Sequence, residues 1–313
     1  MRFAVSLLIA FLTTPALSAQ RIVPSGGQWL IERSHHSGKV DLDIRYGEGH
    51  HSSNWGRTVP LTELVGLSAA DMDGSGTTVH FKIVRSAGTL VCEGWFDGGK
   101  GSGHFTYEPN PDFVAELAKR GVNRPTEWEQ FEMTMAGIGL DLVDELKRQG
   151  YDTPTAGELA RMGTHGVDLE FVRDIGARGY HLKDIESLVR MRDHGVDPDF
   201  IASLSTAGYK NLEAEDLVRL RDHGVDGDYI ADLKELGYAP PDPEELVESR
   251  DHGVDAHYIT SLKEAGYEHL SLTELRRARD HGVTRGFIQR VKARGYGNLS
   301  IEEVIRLRDR GLD

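Results

Sequence analysis

A hexapeptide, Arg221-Asp222-His223-Gly224-Val225-Asp226, recurs along this chain at a fixed stride. His-Gly-Val stands at His165, His194, His223, His252 and His281, always at the same interval, and the variant Arg310-Gly311-Leu312 follows. A second marker, Gly-Tyr, keeps that interval at Gly150, Gly179, Gly208, Gly237, Gly266 and Gly295. Two markers locked to one period predict tandem structural units, each too small to bury its own apolar face and stable only when stacked.

The stretch Asp197 to Val225 shows what one unit should be. Asp197 is an N-cap, and Phe200, Ile201 and Leu204 fall on one helical face. Gly208 ends that helix by supplying a left-handed residue, and Tyr209 and Leu212 pack where the chain reverses. A second helix carries Leu217 and Leu220 and stops at Gly224. Asp168, Asp226, Asp255 and Thr284 repeat the first cap. Thr155 with Glu158, Asp242 with Glu245, Ser271 with Glu274 and Ser300 with Glu303 have capping-box spacing before the second helix. The stride runs back through Gly137 and Gly121, and Pro111, Phe113, Val114 and Leu117 match Pro198, Phe200, Ile201 and Leu204. The reading is seven helix pairs over residues 109–313, an α-solenoid whose first two units lack the full Arg-Asp-His signature.

Residues 20–108 read as an antiparallel β domain, which makes the whole chain α+β. Trp29–Arg33 and the alternating Val40–Tyr46 are strands, and Val79–Val84, Thr89–Phe96 and His104–Tyr107 form a meander. The glycines between Asp97 and Gly103 are expected to make its last turn. Residues 1–19 have one Arg, an apolar run and small residues at the end, as a secretory signal peptide does. The run is too short to span a bilayer, and no other stretch approaches that length. With Cys92 the only cysteine, no disulfide framework exists, and this residue is expected in the core. The chain should be exported, to the periplasm or the medium.

A formal net charge of -14 disfavours nucleic acid and anionic membranes, since phosphate binding needs Lys and Arg. Three features of the β region bear on chemistry. Asp71-Met72-Asp73-Gly74 resembles the start of a calcium loop, but Lys82 stands where the bidentate glutamate would be. His35-His36 and His50-His51 are candidate zinc or copper ligands, although the strand between them places the two pairs apart. Trp29, Trp55 and Trp95 are expected in the core, the alternative being an exposed aromatic patch for sugar or peptide. No nucleophile–base pairing and no zinc-protease motif is present, so no catalytic residue is assigned and no resident cofactor is expected, with calcium the possible exception.

Four consecutive units carry Arg192/Asp193/His194, Arg221/Asp222/His223, Arg250/Asp251/His252 and Arg279/Asp280/His281. Stacked units lie about 8–10 Å apart, too far to share one metal ion, and neighbours on a helix point apart. The expectation is structural: Arg and His complement the helix's negative end, and Asp pairs with an Arg or backbone donor of the next unit. A pH-sensitive or ligand-binding row of imidazoles is the alternative.

The segment Ala87-Gly88-Thr89-Leu90, Glu93-Gly94-Trp95-Phe96 and Gly101-Ser102-Gly103-His104-Phe105-Thr106-Tyr107, followed by the His-Gly-Val and Gly-Tyr repeats, resembles a group of exported bacterial proteins. Similar repeats resemble those appended to some BlaR/M56-type membrane peptidases. This chain has neither the membrane helices nor the zinc motif of those peptidases. The resemblance therefore implies an accessory or sensing module without proteolysis. Three functions are open at this point: a non-enzymatic module binding a protein or peptide, a metal- or calcium-dependent site in the β domain, and a structural component of the cell envelope.

Overall fold

The computed structural model describes residues 26–47, 53–239 and 241–311. By contacts the chain divides into two compact units, residues up to 83 with 90–108, and residues 84–89 with those from 109 onward. The proposed signal segment, 1–19, lies outside the described residues.

The first unit is built on a curled antiparallel sheet of seven strands. They are β1 (Gly26–Arg33), β2 (Lys39–Tyr46), β3 (Ser53–Pro60), β4 (Leu64–Val65), β5 (Ser75–Val84), β6 (Gly88–Asp97) and β7 (Lys100–Pro109). Their order is β3-β2-β1-β7-β6-β5-β4, so the expected meander closes back onto the first strand. β1 pairs with β7 in the register Trp29↔Gly103 and with β2 in the register Trp29↔Ile44. Trp29, Ile31, Leu42, Ile44, Phe81, Cys92, Phe96 and Phe105 fill the inner face, each at most 2% exposed.

Two corrections to the sequence reading arise here. The turn between β6 and β7 is only Gly98-Gly99, with φ of 57° and 85°. Gly101 and Gly103 are strand residues paired with β1, and a Cβ would come within 2.5 Å of the Phe96 ring at the first or 2.6 Å of the Trp29 ring at the second. These glycines make room for aromatic packing rather than for a turn. The second correction is Trp95, which is 51% exposed, while Trp29 is fully buried and Trp55 half-buried. Leu90, Cys92 and Phe96 face inward, so the period of two sends Trp95 to the other face.

β3, β4 and a short helix, α1 (Ala69–Met72), have no apolar period and were not expected. β3 is mostly exposed and takes its conformation from pairing along its whole length with β2, from Lys39↔Pro60 to Tyr46↔Ser53.

The second unit contains fourteen helices among the described residues. The first members of the pairs are α2 (Pro111–Lys119), α4 (Leu140–Gln149), α6 (Leu169–Ala177), α8 (Pro198–Ala207), α10 (Gly227–Glu235), α12 (Ala256–Glu264) and α14 (Arg285–Ala293). The second members are α3 (Glu127–Ala136), α5 (Ala156–Thr164), α7 (Ile185–Asp193), α9 (Ala214–Asp222), α11 (Pro243–Asp251), α13 (Leu272–Asp280) and α15 (Ile301–Asp309). Both series begin anew at the interval that separates His194 from His223. Each helix packs on the one two places along, so first members form one layer and second members another.

The caps are those the sequence predicts. Asp168, Asp197, Asp226, Asp255 and Thr284 accept the backbone N–H three residues on. Reciprocal capping boxes close at Thr126, Thr155, Ser271 and Ser300, whereas the cap at Asp242 is a bond accepted from the backbone N–H of Glu245. Between the layers lie residues such as Leu217, Val218, Leu220, Tyr229, Ile230 and Leu233, at most 4% exposed. Fully burying one such side chain contributes about 1.5–3 kcal/mol. A lone pair has half this core open to water, which is why the units hold only as a stack.

Candidate functional site

The junction around His223 shows how one repeat grips the next. α9 ends at Asp222, His223 is its C-cap, and Gly224 follows with φ 68°. The N–H of Gly224 donates to Arg221 O (3.1 Å) and that of Val225 to Leu220 O (2.9 Å). These are the bonds of a Schellman turn, and they occupy the carbonyls of Leu220 and Arg221. Val225 is fully buried, and Asp226 then caps α10 through Tyr229 N at 2.8 Å.

The His and Asp of the triplet reach across to neighbouring units. Nδ1 of His223 lies 2.8 Å from Asp251 Oδ1, 28 residues ahead. The same pairing joins His165 to Asp193 (2.6 Å), His194 to Asp222 (2.7 Å), His252 to Asp280 (2.6 Å) and His281 to Asp309 (2.6 Å). An ionised carboxylate only accepts, so against one the imidazole donates in the tautomer protonated at Nδ1. The partner of each Asp is therefore the His of the preceding unit, which corrects the expectation of an Arg or a backbone donor.

The arginines lie in the last turn of their helices, as expected, and also make a contact that was not. Arg192 lies over the Phe171 ring at 5.0 Å, Arg221 over Phe200 at 5.0 Å, Arg250 over Tyr229 at 4.9 Å and Arg279 over Tyr258 at 4.7 Å. Arg308 over Phe287 at 5.0 Å continues the row. Each guanidinium thus stacks on the first helix of its own pair, within cation–π range. It also covers the preceding His-Gly turn: a Cβ on Gly195 would stand 3.4 Å from Arg221 Nε.

Two further rows were not foreseen. Arg161–Glu186 (2.8 Å), Arg190–Glu215 (2.6 Å), Arg219–Glu244 and Arg277–Glu302 (2.7 Å) link successive second helices at one constant offset in sequence. The row breaks at Glu248, which pairs with Arg276 at 2.9 Å instead. The Gly-Tyr tyrosines form the other row. Tyr209, Tyr238 and Tyr267 donate through the phenol to the carbonyls of Pro241, Leu270 (2.9 Å) and Leu299 (2.8 Å). Complementary charges recurring at that constant offset were the signal in the sequence for the first row; nothing in the sequence marks a backbone carbonyl as acceptor for the second.

Several buried polar groups of the array have partners. Gln130, 7% exposed, donates to the carbonyls of Ala87 (2.8 Å) and Asn110 (2.9 Å). Glu145, 6% exposed, is held down to a pKa of about 2, first by its bond from Arg148, with Gln149 and Arg173 adding to it. Burial pushes the Tyr229 phenol up to about 12, and its hydroxyl donates to Val254 O at 3.0 Å.

In the sheet unit the candidate ligands are spoken for or scattered. Asp71 accepts from the Ser68 backbone N–H (2.8 Å) and hydroxyl (2.5 Å), bonds that lower its pKa. Asp73 pairs with Arg33 at 2.5 Å. His35 and His36 are exposed in the β1–β2 turn, with His36 Nδ1 3.4 Å from Ser34 Oγ. His50 and His51 lie outside the described residues. Among the described residues no three His, Cys, Asp or Glu side chains gather as a metal site. Burial raises the Cys92 thiol to about 12, which removes its thiolate at neutral pH.

No protein-family model matches the sequence, and no curated protein matches it.

Proposed function

We propose that the helical array is a binding module that holds a protein or peptide along an extended surface and performs no chemistry itself. One observation carries this reading. Most of the side chains that repeat join units, whereas one exposed position of the first helices changes character along the array. At the second residue of the helix an exposed acid holds through Asp112, Asp141, Glu170, Asp199 and Asp228 and gives way to His257 and Gly286. At the ninth the series runs Lys119, Arg148, Ala177, Thr206, Glu235, Glu264, Ala293, all exposed, from basic through neutral to acidic at Glu235 and Glu264. A constant frame with a varied face is how stacked repeats specify a partner. Among the described residues no helix is long and apolar enough to cross a membrane. Together with the signal-like segment, this supports a module working in the periplasm or the medium.

Affinity capture from both compartments tests the proposal. One stoichiometric soluble partner, with hydrogen-exchange protection on α8, α10 and α12, supports it. Bulk association with the envelope points to a structural component instead. Titration calorimetry with Ca²⁺ and Zn²⁺ addresses the remaining reading, a metal-dependent site in the sheet unit: saturable heat with either ion would favour that site over a purely non-enzymatic module.

A further inference from the structure

The outer face of the sheet carries a feature that packing does not require. Trp95 stands on β6, an inner strand, yet is 51% exposed. An indole left in water forgoes the burial that makes large aromatics dominate cores. Beside it, β7 offers the small Ser102, and β1 places Leu30 opposite Ser102 and Gln28 opposite His104. Trp95, Leu30, Gln28, Glu93, His80 and His104 line one open depression of about 680 Å³. That lies within the ~300–1,000 Å³ of small-molecule sites.

The floor is fixed from the core side. Trp29 Nε1 donates to the carbonyls of both Glu93 and His104, each at 3.2 Å. The Trp29 ring also occupies the space where Gly94 and Gly103 lack side chains. The strands that carry Trp95, Glu93, Ser102 and His104 are thereby locked together, so the platform is formed before any ligand arrives.

We infer that this depression binds a neutral saccharide. The indole offers a flat apolar surface to the C–H face of a pyranose. Glu93 accepts from sugar hydroxyls, and Gln28 and Ser102 both donate and accept. The one carboxylate disfavours an acidic sugar. Within the depression a folded protein would find only one indole and one half-buried leucine, a small apolar centre beside an interface of about 800 Å² per partner.

The full-length chain is titrated separately with cellotriose, maltotriose and chitotriose, by calorimetry and by saturation-transfer NMR. Saturable binding of at least one is expected. Trp95→Ala should weaken it tenfold or more, Trp95→Phe should keep part of it, and Glu93→Gln should cost about fivefold, with melting unchanged in all three. Absence of saturable binding to all three sugars overturns the inference. So does undiminished affinity in Trp95→Ala, or binding of a polyproline peptide at Trp95 in place of every sugar.

Discussion

Replacing Gly224 by valine should destabilise the array through the backbone alone. Gly224 sits just past α9 with φ 68°, in the left-handed region. A Cβ there would meet nothing closer than Arg250 Nε at 3.7 Å, an ordinary contact, so steric exclusion is not the issue. The cost is that of holding an L-residue in the left-handed well, about 1–2 kcal/mol, and a β-branched residue lies at the upper end of it. For a urea slope of about 1–3 kcal/mol per molar, the midpoint should fall by roughly 1 M. Alanine should cost less than valine, and asparagine, which tolerates this conformation, should recover most of the loss. Gly227 is the control. It opens α10 without positive φ, but its Cβ would lie 2.8 Å from the Ser203 carbonyl oxygen, so Gly227→Ala should destabilise by crowding. Urea unfolding followed by circular dichroism, with hydrogen exchange read in α9 to α11, measures both. A Gly224→Val protein that unfolds like the parent, or a Gly224→Asn protein as weak as Gly224→Val, would refute the assignment of strain to this turn.

Other outcomes follow from the junctions. In a double-mutant cycle, His223→Ala and Asp251→Ala should couple by less than ~1 kcal/mol, because both side chains are more than a third exposed; a larger coupling would show the row to be a principal source of stability. Tyr258→Phe should cost about 1–2 kcal/mol, since it leaves the Val283 carbonyl without its 3.1 Å bond; thermal melting reads this. Glu145 has a folded pKa of about 2, below its unfolded value of 4.5. Its contribution is therefore complete above pH 4.5 and is lost as pH falls through about 2. That contribution is on the order of 1–2 kcal/mol once the solvent exposure of Arg148 is allowed for, and Glu145→Gln should flatten acid unfolding within this window. An unchanged acid profile in that variant would place the acid-sensitive interaction elsewhere.

Much of the array was legible because its determinants are local. A cap needs an oxygen-bearing side chain three residues before the N–H it accepts, and a left-handed stop needs glycine, so Asp197, Gly208 and Gly224 announce their roles. The constant interval between those markers fixes the number of pairs. In the sheet, the alternation of Val40–Tyr46 was readable for the same reason. β3 was not, since its exposed residues follow the backbone of β2.

The amino-acid order by itself determined that short capped helices alternate at constant spacing after a β region. Only the stacked structure decided what the Arg-Asp-His triplet touches. Both partners of His223 and Asp251 are visible in one line of letters, but whether 28 residues bring them to 2.8 Å depends on how two pairs pack. Arg221 stays on its own pair, Asp222 meets the preceding unit and His223 the next, a division settled by tertiary geometry. Trp95 teaches the complement: its outward side was implicit in the strand's period, but that its neighbours form a depression needed three strands side by side. Local chemistry sets the elements, and long-range packing assigns the partners, because a side chain meets a distant residue only after the chain between them has folded.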